Sequence, residues 1–311
     1  MRIAVMGATS QIARDLVRTM NNSDAHELTL LARRPDAVHA WLATFARGSR
    51  HKVNDLYSLQ RNASFDAIIN FVGVANPAAA ASLGAQILEI TRSVDDMAMA
   101  YIERHTDCRY IFLSSGAVYA TSFDEPATEQ TCVNLPINSL GAEHWYGLAK
   151  FIAEARHRAA ANLAIVDLRV FSYVSRYQDM DARFLVTDAV RALRNNQTLY
   201  SAASQNVRDY LHPRDFHALL ECVLSHAPVN TPLDCYTRAP VEKWKLLKAL
   251  HAEFGLSCEV LESGAGVNAT GLKPMYYSLN RRAATFGYAP SLDSLGAVLE
   301  EVEAYLAEHK Q

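Results

Sequence analysis

The sequence lacks the features that mark several broad protein classes. Its five cysteines, Cys108, Cys132, Cys222, Cys235 and Cys258, are scattered, odd in number and without a C-x-x-C spacing. A disulfide framework or a thiolate zinc site is excluded on that count, and a reducing compartment is expected. No His, Asp or Glu cluster has metal-ligand spacing, so no metal is expected. Lys and Arg number 30 against 33 Asp and Glu, a net charge of -3. The basic excess that a nucleic-acid partner would require is therefore missing. No apolar run reaches the roughly 18 residues of a membrane span, and no basic leader precedes a long apolar core, so a soluble cytoplasmic protein is expected. Repeats and low-complexity linkers are also lacking.

What is present is alternation. Short apolar runs at 2–7, 27–33, 65–73, 109–115 and 163–171 read as strands. Segments at 10–22, 36–46, 82–105 and 143–161 have helical periodicity. Continuous apolar strands separated by helices imply an α/β fold with a doubly wound parallel sheet covered on both faces. After Phe171 the pattern loosens. Helices are expected at 182–196 and 294–310, with a short strand and a helix within 207–227, and prolines punctuate the rest. The division expected is a dinucleotide-binding domain at 1–171 and a smaller C-terminal α/β substrate-binding region at 172–311, from which segments such as 207–227 could return to the first domain. The alanine-rich stretch 76–85 reads as a loop running into a helix.

The first strand ends in "GATSQIA". Gly7 permits a tight turn into the next helix, whose N-terminal N–H groups can hold a pyrophosphate. Ser10 and Ala13 stand where further glycines are usual, and both are small. Thr9, Ser10, Gln11 and Ile12 are the expected phosphate contacts. The second strand ends in "LLARRP", with Arg33 and Arg34 where an NAD site carries an acid for the ribose 2′-hydroxyl. Guanidinium forks suit a 2′-phosphate, so NADP(H) is favoured over NAD(H). The alternative is a solvated arginine pair. Asp55 and Leu56, then Phe71, Val72 and Gly73, follow later strands and are expected to line the cofactor cleft.

Tyr146 and Lys150 lie four apart on one helix face in "EHWYGLAKFIA". A lysine there can hold a phenol's pKa down and let it move a proton near neutral pH. Ser115, at the end of the strand "RYIFLSS", can hydrogen-bond a carbonyl or alcohol oxygen. Each element alone is common: a tyrosine packed on a lysine stem, a serine pair at a turn. Their order along a chain that begins with a nucleotide motif carries the reading of Ser115, Tyr146 and Lys150 as catalytic.

With "GATSQIA", "FLSSGAVY", "YGLAK", "LRVFSYVS", "VRDYLHPRD" and "LNRRAATFGYAPS" in order, the chain resembles the extended short-chain dehydrogenase/reductases. These include nucleotide-sugar epimerases, dehydratases and reductases. The resemblance implies a Rossmann-type sheet, Ser115 rather than Ser114 as the catalytic serine, and Lys150 also holding the nicotinamide ribose alongside Tyr146. It places Arg208 of "VRDYLHPRD" near the diphosphate of a nucleotide-sugar. Gly116, Ala117, Phe171 and Ser172 join Ser115 and Arg208 as expected substrate contacts. It also implies a homodimer through the helices at 82–105 and around Tyr146. Asp215 is expected as a helix N-cap, His212 as structural, and His144 on the surface.

Departures from the family pattern narrow the chemistry. Dehydratases carry Asp-Glu directly after the catalytic serine or threonine, where this chain has Gly116 and Ala117. Ser172 and Ser175 replace an asparagine and a glycine of the epimerases. The expected activity is NADPH-dependent reduction of a nucleoside-diphosphate-linked keto sugar, a 4-keto-6-deoxy sugar being favoured. An epimerase using bound NAD and a non-catalytic nucleotide-sensing protein remain as alternatives.

Overall fold

A computed structural model describes residues 1–45, 51–61, 64–74, 80, 82–120, 122–261 and 273–309. Strands β1 (Arg2–Met6), β2 (Glu27–Ala32), β3 (Lys52–Asp55), β4 (Ala67–Asn70), β5 (Arg109–Ser115) and β6 (Ile165–Val170) are joined by the later strand Thr231–Asp234 in one sheet. Its order is Thr231–Asp234, β6, β5, β4, β1, β2, β3, with every pair parallel. The strands read as unbroken apolar runs because both faces are covered. Ile3 and Val5 enter one core, with Leu16 and Val17 of helix α1 (Gln11–Met20) and Val38 of α2 (Pro35–Leu42). Ala4 and Met6 enter the other, with Val94 and Ala98 of α3 (Gln86–Ile102) and Ala153 of α4 (Trp145–Ala159). Each fully buried Ile, Leu, Val or Met among these contributes roughly 1.5–3 kcal/mol over an exposed one.

After Phe171 the chain divides its loyalties. Helices Leu185–Arg194, Lys243–Phe254 and Ser294–Glu308 build a third core around Val190, Leu246, Leu250, Val298 and Val302. Helix Pro213–Ser225 instead returns to α1, placing Phe216, Leu219 and Leu220 in the first core, and Thr231–Asp234 extends the sheet beyond β6. No helix among the described residues is long and apolar enough to cross a membrane.

Several boundaries differ from the sequence expectation. The helix expected at 82–105 is the shorter Gln86–Ile102, because Gly84 adopts a left-handed φ of +51° and interrupts the preceding turn. Residues 76–79 and 81 of the loop expected at 76–85 lie outside the described residues. His212, not Asp215, caps helix Pro213–Ser225, its Nδ1 accepting the Arg214 N–H at 3.0 Å. Asp215 sits one turn on and accepts from Ser291 N–H (2.9 Å), Ser291 Oγ–H (2.6 Å) and Leu292 N–H (3.2 Å). It thus ties down the approach to the last helix. His144 is half-buried rather than superficial, its Nδ1 accepting the Gly141 N–H at 2.9 Å ahead of α4. His212 also meets Glu300 and Glu301 in a trio of close ligating atoms that distant sequence positions concealed. Arg176 and Arg214 pair with those two carboxylates, which satisfies them as an ion-pair network.

Beneath the sheet, α4 is locked by a fully buried histidine. His157 lies between Asp167 of β6 (Nδ1 to Oδ1, 2.6 Å) and Asp95 of α3 (Nε2 to Oδ1, 2.8 Å). Burial alone would push its pKa down, but the charge and hydrogen bond of Asp167, then those of Asp95, raise it to about 9. A group whose folded pKa is raised contributes its stability in full below its unfolded value near 6.5 and loses it as pH rises through the folded value. We therefore expect His157→Gln to cost roughly 3 kcal/mol of unfolding free energy near pH 6. The gap from wild type should shrink as pH approaches about 9. Denaturant titrations at stepped pH measure this; a gap independent of pH would contradict the assignment.

Candidate active site

The order 3-2-1-4 places a crevice between the C-terminal ends of β1 and β4, where an open parallel sheet receives ligands. Gly7 stands there at φ +75°, and a Cβ on it would lie 2.9 Å from the Val72 nitrogen and 3.1 Å from the Phe71 carbonyl carbon. Only glycine lets the turn lie this close. The turn is fixed by Gly7 N–H donating to Leu31 O (2.9 Å) and Ser10 N–H to Gly7 O (2.8 Å). Ser10 caps α1, its Oγ accepting the Ala13 N–H at 3.4 Å, which leaves the Gln11 and Ile12 amides without an intrahelical partner. Thr9, Gln11 and Ile12 are half-buried around this turn, and the Gln11 side chain is engaged with Asp15. A dinucleotide fits these features: a glycine cradle, an open helix N-terminus and a crevice at the strand switch.

Across the crevice, Asn70 is buried and accepts the Val72 N–H at 2.9 Å, holding the Phe71–Val72 turn. Phe71 itself is buried, Val72 half-buried and Gly73 exposed. Asp55 ends β3 and pairs with Arg61 at 3.2 Å, while Leu56 is buried beside it. Arg33 and Arg34 are exposed after β2, with no carboxylate within ion-pair distance among the described residues.

Ser115 and Tyr146 meet because α4 comes unusually close to the turn after β5. A Cβ on Gly147 would stand 2.5 Å from the Ala117 carbonyl oxygen, so a larger residue there would lever the helix away. Ser115 is buried and lies close enough to Tyr146 to draw the phenol's pKa down, but burial has the larger effect and leaves it raised. Lys150 lies one helical turn beyond Tyr146 on α4. Its Nζ donates to the Leu113 carbonyl at 2.7 Å, sits 4.3 Å from the Phe112 ring centroid and 6.0 Å from that of Tyr146. Burial lowers the Lys150 pKa to about 8, with Asp95, Glu154 and Asp167 opposing the fall. A Cβ on Gly73 would come within 3.3 Å of the ammonium, so glycine keeps it open toward the cleft.

Gly116 and Ala117 form the buried turn behind Ser115. A Cβ on Gly116 would fall 2.4 Å from the Phe171 ring, so the side chain excluded there is replaced by an aromatic one. Phe171 packs in turn on Tyr119, Phe123 and Tyr276. Ser172 is half-buried and pairs with Tyr210 in a two-residue parallel ladder. Arg208 forms no pair with Asp209, which is buried and bonded to Thr237 and Ser294. The guanidinium instead donates to the carbonyls of Val207 (2.9 Å) and Lys273 (2.6 Å) and lies 5.7 Å from the Tyr276 ring centroid.

Two residues here were not singled out from the sequence. Tyr276 Oη is 3.2 Å from Ser115 Oγ. Lys273 lies with its Nζ 4.8 Å from the Tyr276 ring centroid, its pKa brought to about 8 by burial and by the charge of Arg208. Neither Arg208 nor Lys273 has a carboxylate partner among the described residues. Lys273 and Tyr276 both lie in "LKPMYYSLN", where one lysine and two tyrosines carry no local pattern that marks them as site residues.

The NAD dependent epimerase/dehydratase family model matches residues 3–234. No curated protein sequence matches the chain significantly. Among solved structures, UDP-glucose 4-epimerase of Thermotoga maritima is similar over 100% of both chains at 14% identity, with a TM-score of 0.81. UDP-glucuronic acid 4-epimerase of Bacillus cereus, in complex with UDP-glucuronic acid and NAD, is similar over 99% of this chain and 100% of its own, at 16% identity and a TM-score of 0.79. The dTDP-glucose 4,6-dehydratase of Bacillus anthracis, in complex with NAD, covers 100% and 97% at 14% identity and a TM-score of 0.78. At these identities the likeness is one of fold. The family model runs from β1 to the last strand of the sheet, so the chain belongs to the NAD dependent epimerase/dehydratase family of enzymes.

Proposed function

We propose that the protein is an NADPH-dependent reductase of a keto sugar carried on a nucleoside diphosphate, a 4-keto-6-deoxy sugar being the favoured class. The observation that carries the substrate reading is the pair Arg208 and Lys273. Two half-buried cations close together, without a carboxylate partner among the described residues, repel each other, and an anion between them would relieve this. A diphosphate would supply it beside Tyr276 and Ser115. The solved neighbours include proteins complexed with UDP-sugars, which supports the same substrate class.

When bound, NADPH supplies the hydride that reduces the carbonyl carbon. The residues around Gly7 and the first turn of α1 would hold its pyrophosphate, Arg33 and Arg34 its 2′-phosphate, and Lys150 with Tyr146 its nicotinamide ribose. Burial keeps Tyr146 protonated at neutral pH, which is the form that can donate to a developing alkoxide. Ser115 would donate a hydrogen bond to the same oxygen. Gly116 and Ala117 offer no acid or base for removing water from the sugar, and Phe171 fills the space that an acidic side chain at 116 would need. A second reading, epimerisation with bound NAD, is favoured by the NAD complexes among the structural neighbours. A homodimer through α3 and α4 fits either reading, with Phe151 and Ile152 exposed on α4.

Steady-state reduction of a dTDP- or UDP-linked 4-keto-6-deoxy sugar should proceed with NADPH. Replacing Arg33 and Arg34 together by serine should lower kcat/KM for NADPH about 100-fold while changing that for NADH little. Copurified NAD without NADPH oxidation would instead favour the epimerase. Tyr146→Phe should reduce kcat by about 10²–10⁴-fold with cofactor affinity largely retained. Affinity for a free nucleoside diphosphate, measured by calorimetry, should weaken as pH rises through about 8, because Lys273 loses its charge there. Lys273→Met should flatten that profile.

A further inference from the structure

Resting on the carbonyl-reduction reading, we propose that Tyr276 is a positioning residue that makes Ser115 an obligate hydrogen-bond donor toward the reacting oxygen. A serine hydroxyl has one proton to give and two lone pairs to accept with. At Ser115 one lone pair takes the Ala117 N–H at 3.2 Å. Tyr276 Oη stands at the same distance from Ser115 Oγ, within reach of the second. Either oxygen of that pair can donate, but Ser115 has only one proton, and when it goes to Tyr146 or to a substrate oxygen Tyr276 is left as the donor. With both lone pairs engaged, the Ser115 proton points at whatever acceptor lies in the cleft: the Tyr146 oxygen at rest, the substrate oxygen during reaction. A donor fixed before the charge develops needs no reorganisation when it does, and this is how such groups lower a barrier.

The placement of Tyr276 is built rather than incidental. Its strand, Met275–Tyr276, pairs in parallel with Val207–Arg208. On its other side Met275 N–H donates to Phe123 O at 2.8 Å, and Ala127 N–H donates to Tyr277 O at 2.9 Å. The ring is wedged between Phe123 (4.8 Å) and Phe171 (5.2 Å). Arg208 and Lys273 lie over the same ring. Tyr276 therefore links the cation pair expected to hold the substrate's anionic group with the hydroxyl expected to act on its carbonyl.

Tyr276→Phe removes the hydroxyl and keeps the ring, so the aromatic packing and both cation contacts persist. In the whole protein we expect an unchanged thermal midpoint, a kcat lowered about tenfold and a KM changed less than about twofold. The alkaline limb of the kcat profile, where Tyr146 loses its proton, should also move to higher pH. In a Ser115→Ala background the same substitution should cost nothing further, because Tyr276 acts through that hydroxyl. Independent losses in the two backgrounds, or an unchanged kcat in Tyr276→Phe, would overturn the proposal. If no keto-sugar nucleotide is turned over, the reductase reading fails while the contact can still be examined. The phenolate absorbance that disappears in Tyr146→Phe should then titrate roughly half a unit higher in Tyr276→Phe, with and without NADP+. An unmoved titration overturns the role of Tyr276 by itself.

Discussion

Everything at the candidate site depends on how α4 is held against the sheet. A helix bearing a tyrosine and a lysine four apart is commonplace; here further polar side chains on the same helix are anchored. Lys150 donates to Leu113 O at 2.7 Å, and Glu154 accepts from Ser114 Oγ–H at 2.6 Å and from Arg169 of β6. His157 bridges Asp95 and Asp167 one turn further on. A buried hydrogen-bonded ion pair adds little net stability, but breaking one is expensive. Such ties fix rotation and register more firmly than apolar packing, and Gly147 then allows the close approach that brings Tyr146 to Ser115.

The anchors also set the charge that Lys150 feels. A lysine this deeply buried tends to lose its proton, and the carboxylates of Asp95, Glu154 and Asp167 oppose that loss. The same hydrogen-bonded system reaches the cofactor crevice. Asp95 accepts from Tyr110 Oη–H at 2.9 Å, Tyr110 Oη accepts from Asn70 at 2.8 Å, and Asn70 holds Val72 N–H. A single buried polar chain thus connects the turn beside Gly7, the support of Lys150 and the fastening of α4. Altering one member would disturb both position and charge, so structural and catalytic effects at Asp95 or Asn70 should be inseparable.

The sequence displayed the parts of the site whose spacing is local. Gly7 followed by Ser10, the strand end at Ser115 and the i, i+4 pair at Tyr146 and Lys150 are governed by a turn, a strand terminus and a helix period. The alternation of apolar runs likewise revealed the parallel sheet. Contacts made by long-range packing were not visible. Tyr276 lies 161 residues from Ser115, and nothing in "KPMYYS" distinguishes which tyrosine turns inward. Asp215 was expected as the N-cap for the same reason, a place that His212 takes instead. Both suit a helix N-terminus in isolation, and only the approach of Ser291 and Leu292 gives Asp215 other work. Local spacing likewise could not reveal that Lys150 points to the β5 backbone rather than to the Tyr146 phenol.

Gly116 shows how a missing residue acquires meaning from its surroundings. In the sequence it is merely the absence of an acid. In the fold the space beyond its Cα is taken by Phe171, whose ring also braces Tyr276 and Tyr119. An acidic residue at 116 would require that aromatic cluster to move, with loss of the packing that sets Tyr276 against Ser115. The aromatic wall and the hydroxyl cluster are therefore alternatives to a dehydrating acid, not additions to it. The combination suits the proposed reduction, in which one hydride and one proton would reach a carbonyl and the rest of the sugar would stay untouched.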